Sequence, residues 1–386
     1  MDSVTVIGAS VAGLFAAGHL ARCGVPVRVY EAQAPFRPAP RTLIVTPTFL
    51  RLADFDTSEA ILNRVRTFEL FSRSAAARIS LAEPDLVLER ARLLHLLARQ
   101  AQGAGAEIVH GHRLQALHNH RAVPLLQFST PERERRLLAP RVLGADGAHS
   151  VTASGIEQQG LEQVALLQVR VALPADQPPD TVRVWFDRAA TRFFVWLIPE
   201  SPHTAAAGLI ADTLEQAEAA LAAFLTAQDL EPLERQEDAW VPLPPLAWRT
   251  TAPLADGRVL LVGDAAGQVK ASTVGGVVSG MRGALAAVRS LVRGTPYPRE
   301  LAPLCRELNL HTLVRLVLDG FTDEDYDHLL RALNRPALSL LSRHDRDGLA
   351  RTFWRLVLAQ PRWLPLGARA LLRALQDART LYPPAG

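Results

Sequence analysis

Residues 258–283 read Arg-Val-Leu-Leu-Val-Gly-Asp-Ala-Ala-Gly-Gln-Val-Lys-Ala-Ser-Thr-Val-Gly-Gly-Val-Val-Ser-Gly-Met-Arg-Gly. Val259, Leu260, Leu261 and Val262 form a short apolar run of the kind a parallel strand buried on both faces requires. Gly263 and Asp264 stand at its carboxyl end, where open α/β sheets place their ligands. A carboxylate there accepts hydrogen bonds from a sugar-like chain. Gly275 and Gly276 let backbone approach a flat ligand closely. A helix starting near Val277 would aim its positive end at that ligand.

The amino terminus supplies a second nucleotide signature. Val4-Thr5-Val6-Ile7 reads as a strand, Gly8 to Gly13 as a turn, and Val11 to about Ala21 as a helix. Val25 to Tyr30 then forms a second strand ending in Glu31. This is a βαβ dinucleotide fingerprint in which Ser10 replaces the middle glycine of G-x-G-x-x-G. The position needs a small side chain near pyrophosphate, and serine can also donate a hydrogen bond. Gly8, Ser10, Val11, Ala12 and Gly13 are therefore candidate phosphate contacts. Glu31 lies 23 residues after Gly8, near the place where an acid meets an adenosine ribose.

With both signatures in order, residues 263–276 resemble the second FAD motif of the p-hydroxybenzoate-hydroxylase-like flavoproteins. Within that superfamily, Gly-Asp-Ala-Ala-Gly-Gln-Val-Lys followed by Gly-Gly is most similar to the geranylgeranyl reductases. Ala271 stands where those reductases carry proline. The resemblance implies FAD as cofactor and extends to further segments. Arg41, after the proline-rich loop 35–40, matches an arginine that approaches the FAD phosphates; a solvated surface side chain is the alternative. Arg90 matches an arginine that reaches the cofactor, with Arg92 as fallback. The family chain passes the adenine around Leu114. Residues 141–150, Arg-Val-Leu-Gly-Ala-Asp-Gly-Ala-His-Ser, resemble the family's Asp-Gly motif, in which the equivalent of Asp146 holds FAD near the pyrophosphate. That motif ends Ser-x-x-Arg, whereas this chain has Ser150-Val151-Thr152-Ala153, which puts direct nicotinamide docking in doubt.

Residues 160–245 contain strand patterns at 163–173, 181–187, 192–198 and 204–211 and a helix near 213–228, with a further hairpin at 65–82. They read as an antiparallel sheet capping the flavin. Phe194-Val-Trp196-Leu-Ile198-Pro199, eight residues and then Gly208 resemble the reductases' Tyr-x-Trp-x-Phe-Pro and following Gly-x-Gly; Phe194, Ile198 and Ile210 are departures. Alternate strand residues share a face, so Phe194, Trp196 and Ile198 present one apolar wall. They read as substrate contacts with Gly208 permitting close approach, or as sheet core. Halogenases carry a similar Trp-x-Trp-x-Ile-Pro. The expected fold is α/β, with a Rossmann-like FAD-binding domain from 1–63, 84–158 and 247–300. An antiparallel-sheet substrate domain takes 64–83 and 159–246, and a helical carboxyl-terminal region takes 301–386.

Composition narrows the function. The chain has 386 residues and a formal net charge of +3, without a basic block of the kind nucleic-acid binding needs. Lys270 is the only lysine, so the lysine that halogenases place before the Gly-Asp motif is missing, and the role expected of Lys270 is local. Cys23 and Cys305 have neither zinc nor redox spacing and suit a reducing compartment. The chain enters a strand without a basic-then-apolar leader, which favours a cytoplasmic location. His95, His110, His112, His118 and His120 are scattered, and no metal cluster or Ser-His-Asp order competes with flavin chemistry. No second G-x-G-x-x-G appears, so electrons would come from NAD(P)H docking transiently or from a separate donor protein. The leading expectation is hydride transfer from flavin N5 to C=C bonds of a polyprenyl or similar lipid. The alternatives are a monooxygenase or halogenase using a flavin hydroperoxide, and a non-enzymatic FAD-binding protein. Leu349, Phe353, Trp354, Val357 and Leu358 recur at helical spacing among Arg351 and Arg355. This amphipathic pattern either packs on the body or makes peripheral membrane contact.

Overall fold

Val4–Ile7 is buried at every position, as a central parallel strand must be. A computed structural model describes residues 2–120, 123–155, 161–246, 257–343 and 346–381. The strands are β1 (Val4–Ile7), β2 (Val27–Tyr30), β3 (Thr42–Val45), β4 (Ile61–Phe71), β5 (Ala76–Glu89), β6 (Glu107–Val109), β7 (Arg113–His120), β8 (Val123–Ser129) and β9 (Glu134–Leu138). They continue with β10 (Arg141–Gly144), β11 (Glu162–Ala172), β12 (Thr181–Trp185), β13 (Val195–Pro199), β14 (Thr204–Ala211), β15 (Pro232–Arg235), β16 (Ala239–Leu243) and β17 (Val259–Leu261). The helices are α1 (Val11–Arg22), α2 (Thr48–Leu52), α3 (Arg90–Gly103), α4 (Val151–Gly155), α5 (Leu214–Ala227), α6 (Val277–Arg293), α7 (Tyr297–Asp319), α8 (Asp323–Arg331), α9 (Arg335–Arg343), α10 (Leu349–Ala359) and α11 (Trp363–Leu381).

The first sheet runs β17-β10-β1-β2-β6, and all its pairings are parallel. Its side chains alternate between two cores. Val6, Val29 and Leu143 face α1, α3 and α6 through Leu14, Leu94 and Met281. Ile7 and Val142 face the three-stranded sheet β7-β8-β9 through Leu126 and Phe128. This α/β/β layering puts the carboxyl ends of β1, β10 and β17 on one edge, which is where the glycine-rich turns emerge.

The second large sheet has nine strands in the order β15-β11-β14-β13-β12-β4-β5-β3, with β16 also paired to β11. Its pairings are antiparallel except for β4 with β12. Along β13 the period of two separates the faces. Val195 and Leu197 pack toward α5, while Trp196 and Ile198 pack on the opposite side. β3 and the end of β5 lie in segments 1–63 and 84–158, yet they extend this sheet. α3 accordingly starts at Arg90: Leu86 to Glu89 are still strand, and the Glu89 carboxylate caps the helix by accepting from the Ala91 and Arg92 N–H groups. The expected boundaries at 158/159 and 246/247 fall within or against residues 156–160 and 247–256, which lie outside the described residues.

Beyond β17 the chain is helical. α6 packs on α1 and α7, and α7 also carries α10 and α11. The Thr322–Asp325 capping box opens α8, with the Asp325 carboxylate accepting from the Thr322 N–H (3.0 Å). Among the described residues no helix is long and apolar enough to cross a membrane.

Candidate active site

The turn after β1 closes only because two positions lack a Cβ. Gly8 has φ +96°, and a Cβ there would come within 2.6 Å of the Ala145 carbonyl oxygen. A Cβ on Gly13 would lie 2.4 Å from the Gly8 carbonyl oxygen. Ser10 caps α1, its hydroxyl accepting from the Gly13 N–H (3.2 Å) and keeping its own proton free to donate. Glu31 braces the same turn: its carboxylate accepts from the N–H groups of Ala9 (2.8 Å) and Gln33 (2.8 Å).

A cavity lies between this turn and the nine-stranded sheet. Ser10, Val11 and Ala12 line one wall, Gly263, Asp264, Gly276 and Val277 another, and Arg41 and Arg90 reach in beside them. Burial pushes the Arg41 guanidinium down to about 10, with Arg90 adding repulsion against the attraction of Asp264 and Glu237. Its Nε is buried without a hydrogen-bond partner among the described residues. Burial likewise lowers the Arg90 pKa. Burial raises the Asp264 carboxyl although Arg41 and Arg90 pull the other way. Two crowded, partly desolvated guanidiniums beside a helix start call for an anion. A carboxylate at the end of β17 calls for hydroxyl donors. A dinucleotide with a polyol chain supplies both, so these residues fit FAD.

Other expected contacts sit differently. Leu114 is buried with Tyr30, Leu126 and Phe128 in the core under the three-stranded sheet and does not line the cavity. The Asp146 carboxylate turns to its own loop, accepting from the Ser150 hydroxyl (2.6 Å), the Thr152 N–H (2.9 Å) and the Thr152 hydroxyl (3.1 Å). Its neighbours Ala145 and Gly147 line the cavity in its place. Gly275 bridges back to Lys270, whose N–H it accepts (3.1 Å), so that it closes the loop 270–275. Gly276 is glycine for space: a Cβ there would come 2.9 Å from Asp264 Oδ1. Lys270 acts at long range as well as locally, its Nζ donating to Asp347 Oδ1 (2.6 Å).

Phe194, Trp196 and Ile198 share a face but do not line the cavity; they pack with Val269, Ala271 and Val274 of the loop that borders it, and Trp196 and Ile198 are buried there. Gly208 makes room for protein rather than for a ligand. It pairs with Trp196 across β13 and β14, and a Cβ on it would meet Gln168 Cγ at 2.6 Å, the Leu167 carbonyl at 2.7 Å and the Trp196 ring at 2.8 Å. Gly208→Ala is therefore expected to destabilise the protein by about 1–3 kcal/mol through overpacking. Urea unfolding measures this, and an unchanged midpoint would show that the sheet absorbs the methyl group. Sequence reading missed Trp240 and Val241 of β16, which close the cavity from the sheet side and carry no motif. It also missed a buried polar chain: the Trp196 indole N–H donates to the Gln168 side-chain oxygen (3.1 Å), and the Gln168 amide donates to Gln236 Oε1 (3.0 Å), in the amide orientation that satisfies both neighbours. Gln236 Oε1 accepts in turn from the Thr42 N–H (3.0 Å), which ties Trp196 to the strand that presents Arg41.

Comparison with known proteins points to the same cofactor. Residues 1–294 match the family model described as FAD binding domain. Digeranylgeranylglycerophospholipid reductase 2 of Methanothermobacter thermautotrophicus is 29% identical over 370 residues, covering 88% of this chain and 94% of its own. A geranylgeranyl bacteriochlorophyll reductase-like structure from Thermoplasma acidophilum superposes with a TM-score of 0.76 at 17% identity, covering 97% of this chain and 99% of its own. A flavin-dependent brominase triple mutant follows the same fold with a TM-score of 0.67 at 15% identity, covering 94% and 100%. The chain belongs to the FAD binding domain family, as an FAD-dependent oxidoreductase whose sequence and fold are similar to those of geranylgeranyl reductases.

Proposed function

We propose that the protein reduces C=C bonds of a polyprenyl or similarly apolar substrate. The observation that carries this reading is the apolar face of Phe194, Trp196 and Ile198 meeting Val269, Ala271 and Val274 next to the FAD cavity. When bound and reduced, FAD supplies two electrons as a hydride. Arg41 and Arg90 would hold its phosphates, and Asp264 would accept hydrogen bonds from its polyol chain. The apolar cluster keeps this side of the cavity dry, and a prenyl chain entering beside it would gain about 25 cal/mol per Å2 of apolar surface buried. The name of the similar protein of Methanothermobacter thermautotrophicus, digeranylgeranylglycerophospholipid reductase 2, supports the same substrate class. Reducing equivalents come from NAD(P)H or a donor protein.

The carboxyl-terminal helices suit a substrate held in a membrane. Trp354, Leu358, Leu364 and Leu372 are exposed, and so are Arg351, Arg355, Arg362 and Arg369. Exposed apolar side chains interspersed along the sequence with exposed arginines favour peripheral contact with an anionic lipid surface.

The test mixes anaerobically reduced protein with prenyl lipids carried in anionic or neutral vesicles. The expected result is flavin reoxidation, a product heavier by two hydrogens, and co-sedimentation with the anionic vesicles only. Hydroxylated or halogenated product from oxygen with an aromatic substrate, and no reoxidation by any alkene, would replace this reading with the monooxygenase or halogenase one. Absence of sedimentation would remove the membrane contact alone.

A further inference from the structure

A line of polar side chains, buried at His311 and Glu307 and half-buried at Ser272, runs from α7 to the loop 270–275. Ser272 Oγ lies 2.6 Å from His311 Nδ1. His311 Nε2 lies 3.5 Å from Glu307 Oε1, within ion-pair reach although neither atom makes a hydrogen bond among the described residues, and Glu307 Oε2 accepts from the Ala350 N–H (3.0 Å). His311 is 2% exposed and Glu307 is 7% exposed. Placing an imidazole and a carboxylate in the interior is costly unless they serve each other. The pair spans one turn of α7, while Ser272 comes from the loop 270–275. In that loop Ala271 joins the Phe194–Trp196–Ile198 cluster, and Val274 joins both the cluster and the FAD cavity. Ser272 lies between Ala271 and Val274 in that loop, and its hydroxyl faces His311 on α7, one turn from a carboxylate.

Saturating an alkene needs a proton as well as a hydride, and a dry apolar site offers no bulk water to give one. We propose that Ser272 donates that proton and that His311, steadied by Glu307, restores it. This rests on the alkene-reductase reading above. In the balanced step the alkene π bond breaks and one carbon receives a hydride, the two electrons coming from the reduced cofactor. The other carbon receives the Ser272 hydroxyl proton. The serine oxygen takes the Nδ1 proton of imidazolium His311, whose Nε2–H faces Glu307, and the neutral imidazole is reprotonated from solvent before the next turnover. Ser272 is the catalytic residue, and His311 and Glu307 act through it.

Burial holds the His311 imidazole below the ordinary histidine range, aided by the nearby Lys270 ammonium and opposed by Glu307 and by Asp347. The protonated form that the step uses is the minority at neutral pH, so alkene-dependent reoxidation is expected to accelerate as pH falls from about 8 to about 6.

The experiment measures single-turnover reoxidation of the reduced holoenzyme by a prenyl alkene and by ferricyanide, which needs no proton at carbon. Ser272→Ala is expected to slow the alkene reaction by about 100-fold or more and to leave the ferricyanide reaction unchanged. Ser272→Thr restores the rate, and His311→Gln abolishes the pH dependence. In the FAD-free protein the His311 ring signal, followed by nuclear magnetic resonance, should titrate at lower pH in Glu307→Gln than in wild type. An alkene rate unchanged in Ser272→Ala overturns the relay, and so does an equal loss in Thr273→Val, the neighbouring hydroxyl. If wild type itself ignores every alkene while ferricyanide reoxidises it, the reductase reading falls and the relay falls with it.

Discussion

Replacing Lys270 by alanine is expected to cost the folded protein about 3–5 kcal/mol, because it strands a carboxylate in the interior. Lys270 Nζ donates to Asp347 Oδ1 (2.6 Å), and the two side chains are 9% and 2% exposed. Asp347 Oδ2 accepts from the Thr46 hydroxyl (2.6 Å), and its carbonyl accepts from Arg282 (2.6 Å). One short turn thus joins the FAD loop, the end of β3 and α6. Burial raises the Asp347 carboxyl, but Lys270, the Thr46 bond and Arg346 outweigh it and leave the group below the ordinary carboxylate range. A depressed carboxyl contributes stability above its unfolded pKa and loses it as pH falls through the folded value. The gap between wild type and Lys270→Ala should therefore narrow in acid. Replacing Lys270 by Met and Asp347 by Leu together should cost far less than Lys270→Ala alone, since a well-packed apolar pair substitutes for a buried ion pair. Urea unfolding at neutral and acid pH checks all three statements. A Lys270→Ala protein as stable as wild type would mean that solvent reaches Asp347.

The same residue marks the limit of what the sequence discloses. Gly8, Ser10, Gly13 and the strand before them are legible because a strand, a tight turn and a helix cap obey rules that span a few residues. The alternation along β13 is legible for the same reason. Lys270 was expected to act locally; its backbone does, through Gly275, but its side chain meets an aspartate 77 residues away. Ser272 and His311 are separated by 39 residues, and no motif links them. The i, i+4 spacing of Glu307 and His311 on α7 was the only local hint. Gly208 carries a motif, but the reason for its size is Trp196 on the neighbouring strand, which only the pairing register discloses. Asp146 and Leu114 sit in recognisable segments, yet sequence does not say which way a carboxylate turns or which core a leucine enters. Trp240 closes the cavity from a strand with no signature, because lining a ligand constrains shape more than residue type.

Asp264 should reveal a conflict between binding and stability. Asp264→Ala is expected to weaken FAD binding by about 1.5–3 kcal/mol, the worth of a hydrogen bond to a charged group. Asp264→Asn should stabilise the FAD-free protein at neutral pH, because the native site holds a carboxylate that burial disfavours and that Arg41 and Arg90 only partly compensate. The sign follows from linkage. A carboxyl whose folded pKa lies above its unfolded value contributes stability in acid and loses it as pH rises from the unfolded to the folded value. The advantage of Asp264→Asn should therefore be full at neutral pH and vanish in acid. Thermal melts of the FAD-free proteins across that range, beside equilibrium titration with FAD, separate the two effects. If Asp264→Asn melts below wild type at neutral pH, the carboxylate is needed for folding, and Arg41 and Arg90 compensate it fully. If Asp264→Ala binds FAD as wild type does, the acceptor for the polyol lies elsewhere. Only the second result would move the cofactor assignment away from the end of β17.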